Sequence, residues 1–543
     1  MKTIITILLL LGTYSHLIAC TVIAIGKKAS VDGSVIVSHT DAGPDCRINF
    51  VPGQQFKVGE KAPVYWGMIE SGRPLGDYGE VIGHIPQVEQ TYSYFQTAYP
   101  QINSKQLAIG ESTLSQRPEL MVDRSICEQI MTIEQAQAFA LQRCTKAEDA
   151  LKLITQLFET HGFLPSCIGE SESLVIADTD EIWVLEVFSV GNEWKKDSGK
   201  PGCIWAAQRV PDDHVMIIPN WSIIKQININ DKDNFRASSN YMQEAIDRGW
   251  YNPESGEPFI WQEVYSPIPR EWSTSRFWLF YATFAPNYTE WPDRFTNSIW
   301  EGENQYTQYI EPISIYPFSV KPEKKMSVQD VMAFQRSTFE GTIYDKENAP
   351  TWYYPNEEGK LTKSAFATPF PTKEMRRVMN INSRRNVARA RGEYGMVAQL
   401  RGWLPDEIGG VYWFYVDNAY TSAYVPIYTG VTDVAECYKV YNPEYYQDNS
   451  IRWAVDFVDN LMYLRWQDAH KKVVEKREPL EASFFSEQES VDEKAQVLLK
   501  KNPKKAQAYL TQLTIERMNE VHQLFKELKL DLISEFTNNK QGI

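Results

Sequence analysis

A cysteine that follows an export-type segment directly, and opens an apolar strand run with no tether between, constrains this chain more than any other feature. Residues 1–19 carry a basic Lys2, an apolar run from Ile4 to Leu11 and a small residue, Ala19, just before Cys20. That is the form of a cleavable secretion signal. The apolar run is too short to cross a bilayer, which takes about 20 residues, and no later uninterrupted candidate follows. The mature chain is expected to begin at Cys20, to be exported to the periplasm or the extracellular space, and to have no spanning helix. Thr21-Val-Ile-Ala-Ile25 then reads as a strand, Ser30-Val-Asp-Gly33 as a turn and Ser34-Val-Ile-Val-Ser38 as a second strand. Cys20 sits at the tip of this hairpin's first strand, where the ladder holds a terminus that would otherwise fray.

Three roles suit a cysteine in that position: a structural thiol, a lipid attachment site or a nucleophile. Leu17-Ile-Ala-Cys20 has the hydrophobic-x-small-Cys form of a bacterial lipoprotein signal, which would make the chain a lipid-anchored surface or periplasmic binding protein. As a nucleophile, a terminal Cys20 supplies both thiol and base, because an α-amine of ordinary pKa about 7.7–8.0 is partly neutral near pH 7. The last two roles exclude each other, since a thioether sulfur cannot attack a carbonyl and an acylated amine cannot take a proton. A lipoprotein normally follows its cysteine with a flexible polar tether; an apolar strand here favours the nucleophile. No distant histidine is required, which suits a chain with only 7 of them and no HExxH or other metal-ligand spacing.

Composition narrows the partners. The 543 residues are 43% hydrophobic and 23% charged, an ordinary water-soluble balance. The formal charge of -15 becomes one unit more negative if the segment with Lys2 is lost, and no long Lys/Arg run occurs. Nucleic acid and anionic membrane surfaces are therefore poor partners. Besides Cys20 there are Cys46, Cys127, Cys144, Cys167, Cys203 and Cys437, an even number that leaves disulfides and free buried thiols both open.

Along the chain, Thr132–Phe163 takes helical spacing, with two capping-box patterns, Thr132 with Gln135 and Thr145 with Glu148. Leu174–Ala177 and Ile182–Val187 around Asp178-Thr-Asp180 predict one hairpin, and Cys203–Ala207 with Val215–Ile218 around Pro211-Asp-Asp213 predict another. A helix is expected near Ser327–Thr338, strands at Gly409–Val416 and Tyr424–Ile427, and amphipathic helices over Ile451–Val474 and Asp492–Phe536. Hairpins and paired helices in blocks, without strand–helix–strand alternation, make the class α+β.

Cys20-Thr-Val-Ile-Ala-Ile-Gly-Lys-Lys-Ala-Ser-Val-Asp-Gly-Ser34 resembles the opening of the cysteine dipeptidase (dipeptidase A-like) family, a branch of the N-terminal nucleophile hydrolases. Gly110-Glu-Ser-Thr113, Arg209-Val-Pro-Asp212, Phe339–Asp345 and Trp403–Phe414 extend the similarity over most of residues 20–430. The resemblance implies a four-layer αββα sandwich over residues 20–435, followed by a helical C-terminal region, 436–543. It implies hydrolysis of a dipeptide or small amide through an acyl-enzyme on Cys20, with no metal or organic cofactor. Asp41 takes the acidic role about twenty residues after the nucleophile. His39 stands where many relatives have an arginine, and is expected to bind substrate. Asn220, after the strand Val215–Ile218, is expected to offer a side-chain amide to the oxyanion. A hydrolase of the bile-salt or acyl-amide type would share this mechanism with a different pocket, and a homo-oligomer is left open.

Overall fold

The computed structural model describes residues 20–43, 45–167, 169–267, 271–287, 316–342 and 344–537; the export segment expected at 1–19 lies outside the described residues. The strands of the first half are β1 (Val22–Ile25), β2 (Val35–Asp41), β3 (Asn49–Val51), β4 (Lys61–Trp66), β5 (Glu80–Pro86), β6 (Tyr94–Gln96), β7 (Pro100–Asn103), β8 (Ala108–Leu114), β9 (Ser171–Ala177), β10 (Ile182–Phe188), β11 (Ile204–Val210), β12 (Val215–Ile218) and β13 (Phe235–Ala237). After them come β14 (Tyr353–Pro355), β15 (Leu361–Lys363), β16 (Tyr394–Leu400), β17 (Gly410–Val416) and β18 (Val425–Tyr428). The helices that matter here are α1 (Ile133–Arg143), α2 (Ala147–His161), α3 (Glu271–Phe284), α4 (Val328–Gln335), α5 (Ile451–Met462), α6 (Trp466–Lys501) and α7 (Pro503–Phe536).

Two antiparallel sheets carry the architecture, one in the order β12-β1-β2-β16-β17-β18 and the other β13-β11-β10-β9-β8-β7-β6-β3. They face each other where β1 and β2 meet β8, and β2 meets β9. Helices cover the outer sides: α1 and α2 lie on β7, β9 and β10, while α3, α4, α5 and α7 lie on strands of the first sheet. Covered on both faces, β1, β8, β9, β10 and β17 are buried at every position. The near-continuous apolar runs of β1, β10 and β17 follow from that, whereas β8 and β9 also bury Glu111, Glu172 and neighbouring hydroxyls. Gly110 marks the close approach of the sheets, since a Cβ there would sit 2.8 Å from Ser38 O and 3.0 Å from Val22 Cγ1. The α+β class and the helical C-terminal region agree with the sequence. All seven cysteines are free thiols.

Two local expectations fail. Cys203–Ala207 and Val215–Ile218 do not form a hairpin: β11 pairs with β10 and β13, whereas β12 crosses to the other sheet and pairs with β1. The intervening turn is held by the first hairpin, Lys28 N–H donating to Asp212 O (2.8 Å) and Gly26 N–H to His214 O (3.0 Å). The free edge of β1 outcompetes the local partner. The capping box Thr145/Glu148 is also absent; Lys146 is the N-cap residue and its side chain makes no capping bond. The distant Asp178 caps α2 instead, accepting from Ala147 N–H at 3.0 Å. Thr132 does cap α1, but Gln135 turns away and accepts from Tyr65 N–H at 2.9 Å.

Candidate active site

Cys20 sits at the open end of β1, and the ladders on both sides determine what faces it. Thr21 and Thr40 exchange backbone hydrogen bonds of 3.3 and 3.1 Å, continuing the β1–β2 register Ala24↔Val37. β12 runs along the other edge in the register Val22↔Ile218. Carried one pair further, the first register sets Cys20 opposite Asp41; carried two residues further, the second sets it opposite Asn220. Directly opposed residues share a face, so the sheet aligns Asn220, Cys20 and Asp41, with Tyr394 next on β16.

The side chains complete this row. Cys20 Sγ–H donates to Asp41 Oδ1 at 3.4 Å, and Gly43 N–H donates to the same oxygen at 2.8 Å. Asp41 Oδ2 packs against Gly43, where a Cβ would come within 2.4 Å, and it is buried without a hydrogen-bond partner. Burial pushes the Cys20 thiol well above its ordinary pKa, and the charges of Glu111, Asp41 and Cys167 push the same way. Burial also raises the Asp41 carboxyl, with His39 pulling against it. A thiol in such surroundings keeps its proton unless a base takes it.

His39, two residues before Asp41 on the same strand face, is fully buried between the edges of Tyr99 and Tyr394. Its Nδ1 lies 3.3 Å from Gln101 Nε2, and its Nε2 lies 3.5 Å from Glu111 Oε2. Gln101 Oε1 accepts from the Tyr412 hydroxyl, leaving Nε2 to donate to His39. With Nδ1 accepting from Gln101, Nε2 is the ring nitrogen left to carry a proton, and it faces Glu111. Glu111 Oε1 accepts from Thr113 Oγ1 at 3.2 Å. Thr113 opposes Glu172 across β8–β9, so Glu111 and Glu172 share a face as diagonal neighbours. Burial first and then the charge of Glu111 push Glu172 well above the ordinary carboxylate range.

Arg276, from α3, ties the ends of β1 and β12 together. Its Nη1 donates to Cys20 O (2.8 Å) and Thr21 Oγ1 (2.5 Å), its Nη2 to Pro219 O (3.0 Å) and Asn220 Oδ1 (2.8 Å), and its Nε to Trp272 O (2.8 Å). Asn220 adopts a left-handed φ of 66°, which asparagine tolerates better than most residues. Its Nδ2 donates to Thr113 O at 3.0 Å and, weakly, to Ser112 Oγ at 3.4 Å. Arg389 also feels this site: burial lowers its guanidinium to about 10, while Cys20 and Asp41 pull it back up.

The four residues singled out in the sequence, Cys20, His39, Asp41 and Asn220, thus meet in one buried cluster. Sequence reasoning missed Gln101, Glu111, Glu172 and Arg276. For Glu111 a signal existed, an acid inside the wholly strand-like Ala108-Ile-Gly-Glu-Ser-Thr-Leu114, within a stretch already noted for its similarity. Arg276 had none, being one arginine on an aromatic-rich helix.

Comparison with known proteins identifies the family. The model of peptidase family C69 matches residues 19–478. A probable dipeptidase B of Streptococcus pyogenes serotype M1 is 23% identical over 542 residues, covering 97% of this chain and 95% of its own. A probable dipeptidase B of Lactococcus lactis subsp. lactis is 25% identical over 454 residues, covering 79% and 78% of the two chains. Dipeptidase A of Lactobacillus helveticus is 22% identical over 439 residues, covering 77% of each. With a family match over most of its length, this chain belongs to peptidase family C69 and is a peptidase that hydrolyses peptide bonds.

Proposed function

We propose that this chain is an exported cysteine-type dipeptidase that becomes active when removal of residues 1–19 frees the α-amine of Cys20. The observation that carries the reading is the Cys20–Asp41 pair: a thiol at the first residue of a laddered strand, donating at 3.4 Å to a buried carboxylate. A thiol held protonated by burial and neighbouring carboxylates needs a base at contact distance, and the α-amine of the same residue supplies it. As Sγ bonds to the substrate carbonyl carbon, the thiol proton passes to that amine and Asp41 stabilises the resulting ammonium. The ammonium then returns the proton to the leaving amine, and water hydrolyses the thioester. Asn220 fits the oxyanion role through the N–H of its longer contact, the 3.4 Å one to Ser112, which is the easier of the two to give up. His39, enclosed by Gln101 and Glu111, orients the wall behind Asp41; it reaches substrate only if that wall opens.

Two facing antiparallel sheets with helices outside support a four-layer αββα sandwich of N-terminal nucleophile hydrolase type, with 436–543 as a helical buttress on the catalytic body, 20–435. Among the described residues no helix is long and apolar enough to cross a membrane. The names of the relatives support a dipeptide as substrate and the leader-like segment supports a periplasmic or extracellular location.

The test is made on protein matured to Cys20. Cys20→Ser is expected to fold and to lose at least about 10³-fold in kcat/KM. Adding one residue before Cys20 is expected to do the same, because the base becomes an amide nitrogen. Wild-type turnover by either protein would refute the reading.

A further inference from the structure

We infer that Cys20, His39 and Glu111 form a site for a thiophilic divalent cation such as Zn²⁺, whose occupancy switches the nucleophile off. Cys20 Sγ, a ring nitrogen of His39 and a Glu111 carboxylate oxygen all lie within 4.8 Å of one another, and all three residues are buried. Thiolate, imidazole and carboxylate are the zinc donor set, with bonds of about 2.0–2.3 Å and tetrahedral geometry. That geometry sets ligand atoms about 3.3–3.8 Å apart. The His39 Nε2–Glu111 Oε2 separation, 3.5 Å, already falls in this range.

A second observation points to a ligand. His39 Nε2 and Glu111 Oε2 are fully buried and face each other at 3.5 Å without hydrogen-bond geometry, and no third group serves either; Asp41 Oδ2 is likewise buried with no hydrogen-bond partner. Buried polar atoms are normally satisfied. A cation between them would satisfy two at once and offset the crowding of Asp41, Glu111 and Glu172. Binding exchanges the Cys20 thiol proton for the metal and releases it to solvent, giving a bound unit in which thiolate and carboxylate balance the double charge. His39 must move its proton to Nδ1, and Gln101 can follow, since turning its amide presents Oε1 to that proton. The mature α-amine completes the tetrahedron through a five-membered chelate with Sγ; this last ligand rests on the maturation proposed above. Metal-bound sulfur and amine can neither attack nor accept a proton, so the cation acts as a reversible inhibitor.

The experiment uses the mature protein, Co²⁺ as a spectroscopic probe and Zn²⁺ as the inhibitor. One equivalent of Co²⁺ is expected to give a thiolate-to-cobalt charge-transfer band. One equivalent of Zn²⁺ is expected to displace it and to lower dipeptide hydrolysis about tenfold or more, with recovery on adding a chelator. Cys20→Ala should abolish the band, and Glu111→Gln should weaken Co²⁺ binding about tenfold or more. Absence of the band from wild type, or Co²⁺ affinity unchanged in Cys20→Ala, would overturn the inference. Metal binding by a protein that hydrolyses no dipeptide even when metal-free supports the site and refutes the enzymatic reading. Normal hydrolysis with no band and no zinc effect does the reverse.

Discussion

The substitution Asp41→Asn separates the chemical task of that carboxylate from its structural one. The amide side chain can keep Oδ1 where it accepts from Gly43 N–H and Cys20 Sγ–H, now 2.8 and 3.4 Å away. What it loses is the charge. In the mechanism proposed above, once the α-amine of Cys20 has taken the thiol proton, the charge of Asp41 is worth about 4 kcal/mol at 4 Å in a medium of effective dielectric near 20. Loss of that order slows general-base chemistry about 10²–10⁴-fold, or about 3–5 kcal/mol in the barrier. Stability moves little. The new Nδ2 replaces an Oδ2 that has no partner, and an unmet buried donor costs about 1–3 kcal/mol. Against this, burial already raises the Asp41 carboxyl, so its charge is itself a cost. A raised folded pKa means that this carboxyl favours the native state at low pH and progressively less as pH climbs through its titration. The variant should therefore gain on wild type with rising pH and end within about 2 kcal/mol of it at neutrality. Dipeptide kinetics and denaturant unfolding of the matured proteins, each across pH, measure both. An Asp41→Asn enzyme that folds normally and keeps more than half of kcat/KM would refute the role of Asp41.

Gly43→Ala puts a Cβ 2.4 Å from Asp41 Oδ2 and should displace the carboxylate, lowering kcat/KM about tenfold or more with little change in melting midpoint; an unchanged rate would show that the carboxylate position is not critical. Arg276→Lys keeps the charge but cannot serve the acceptors at Cys20, Thr21, Pro219 and Asn220 together; it should cost about 2–4 kcal/mol in denaturant unfolding as well as rate, and an unaltered midpoint would contradict the bracing role. Glu393 is buried beside Arg452 and pushed up to about 7, chiefly by burial. Its raised pKa favours the native state below about pH 4.5 and loses that contribution as pH rises to about 7, some 3 kcal/mol in all. Glu393→Gln should therefore gain on wild type by about that amount across this window, and a pH-independent difference would refute the assignment.

What the sequence made legible was local. Cys20 at a strand tip and the β1–β2 hairpin follow from a run of twenty-odd residues whose alternation and turn chemistry are self-contained, while Asp41 was singled out by the family resemblance. The Val215–Ile218 strand was legible as a strand, but its partner was not. Strand partners are chosen by exposed edges elsewhere in the fold, and the edge of β1 took this one from Ile204–Val210. The same reasoning explains α2, whose cap is Asp178 and not the nearer Thr145. Gln101, Glu172 and Arg276 acquire meaning only through three-dimensional neighbours. Arg276 in particular is recognisable from the acceptors of its two terminal nitrogens, two just ahead of β1 and two just beyond β12, and from nothing in Ser275-Arg-Phe277.

The order of strands around Cys20 also sets the order in which the molecule can assemble. β2 pairs with β1 across a short turn but with β16, Asp41 against Tyr394, only after most of the chain has been made. Closing the longer loop costs about 3 kcal/mol more entropy than closing the hairpin, and such distant pairings form slowly. Cys20 is thus among the last residues to be set in its working surroundings. A chain still being completed carries the thiol but not the flanking wall of β12 and β16. Its reactivity is withheld by topology until both ends of the sheet have arrived.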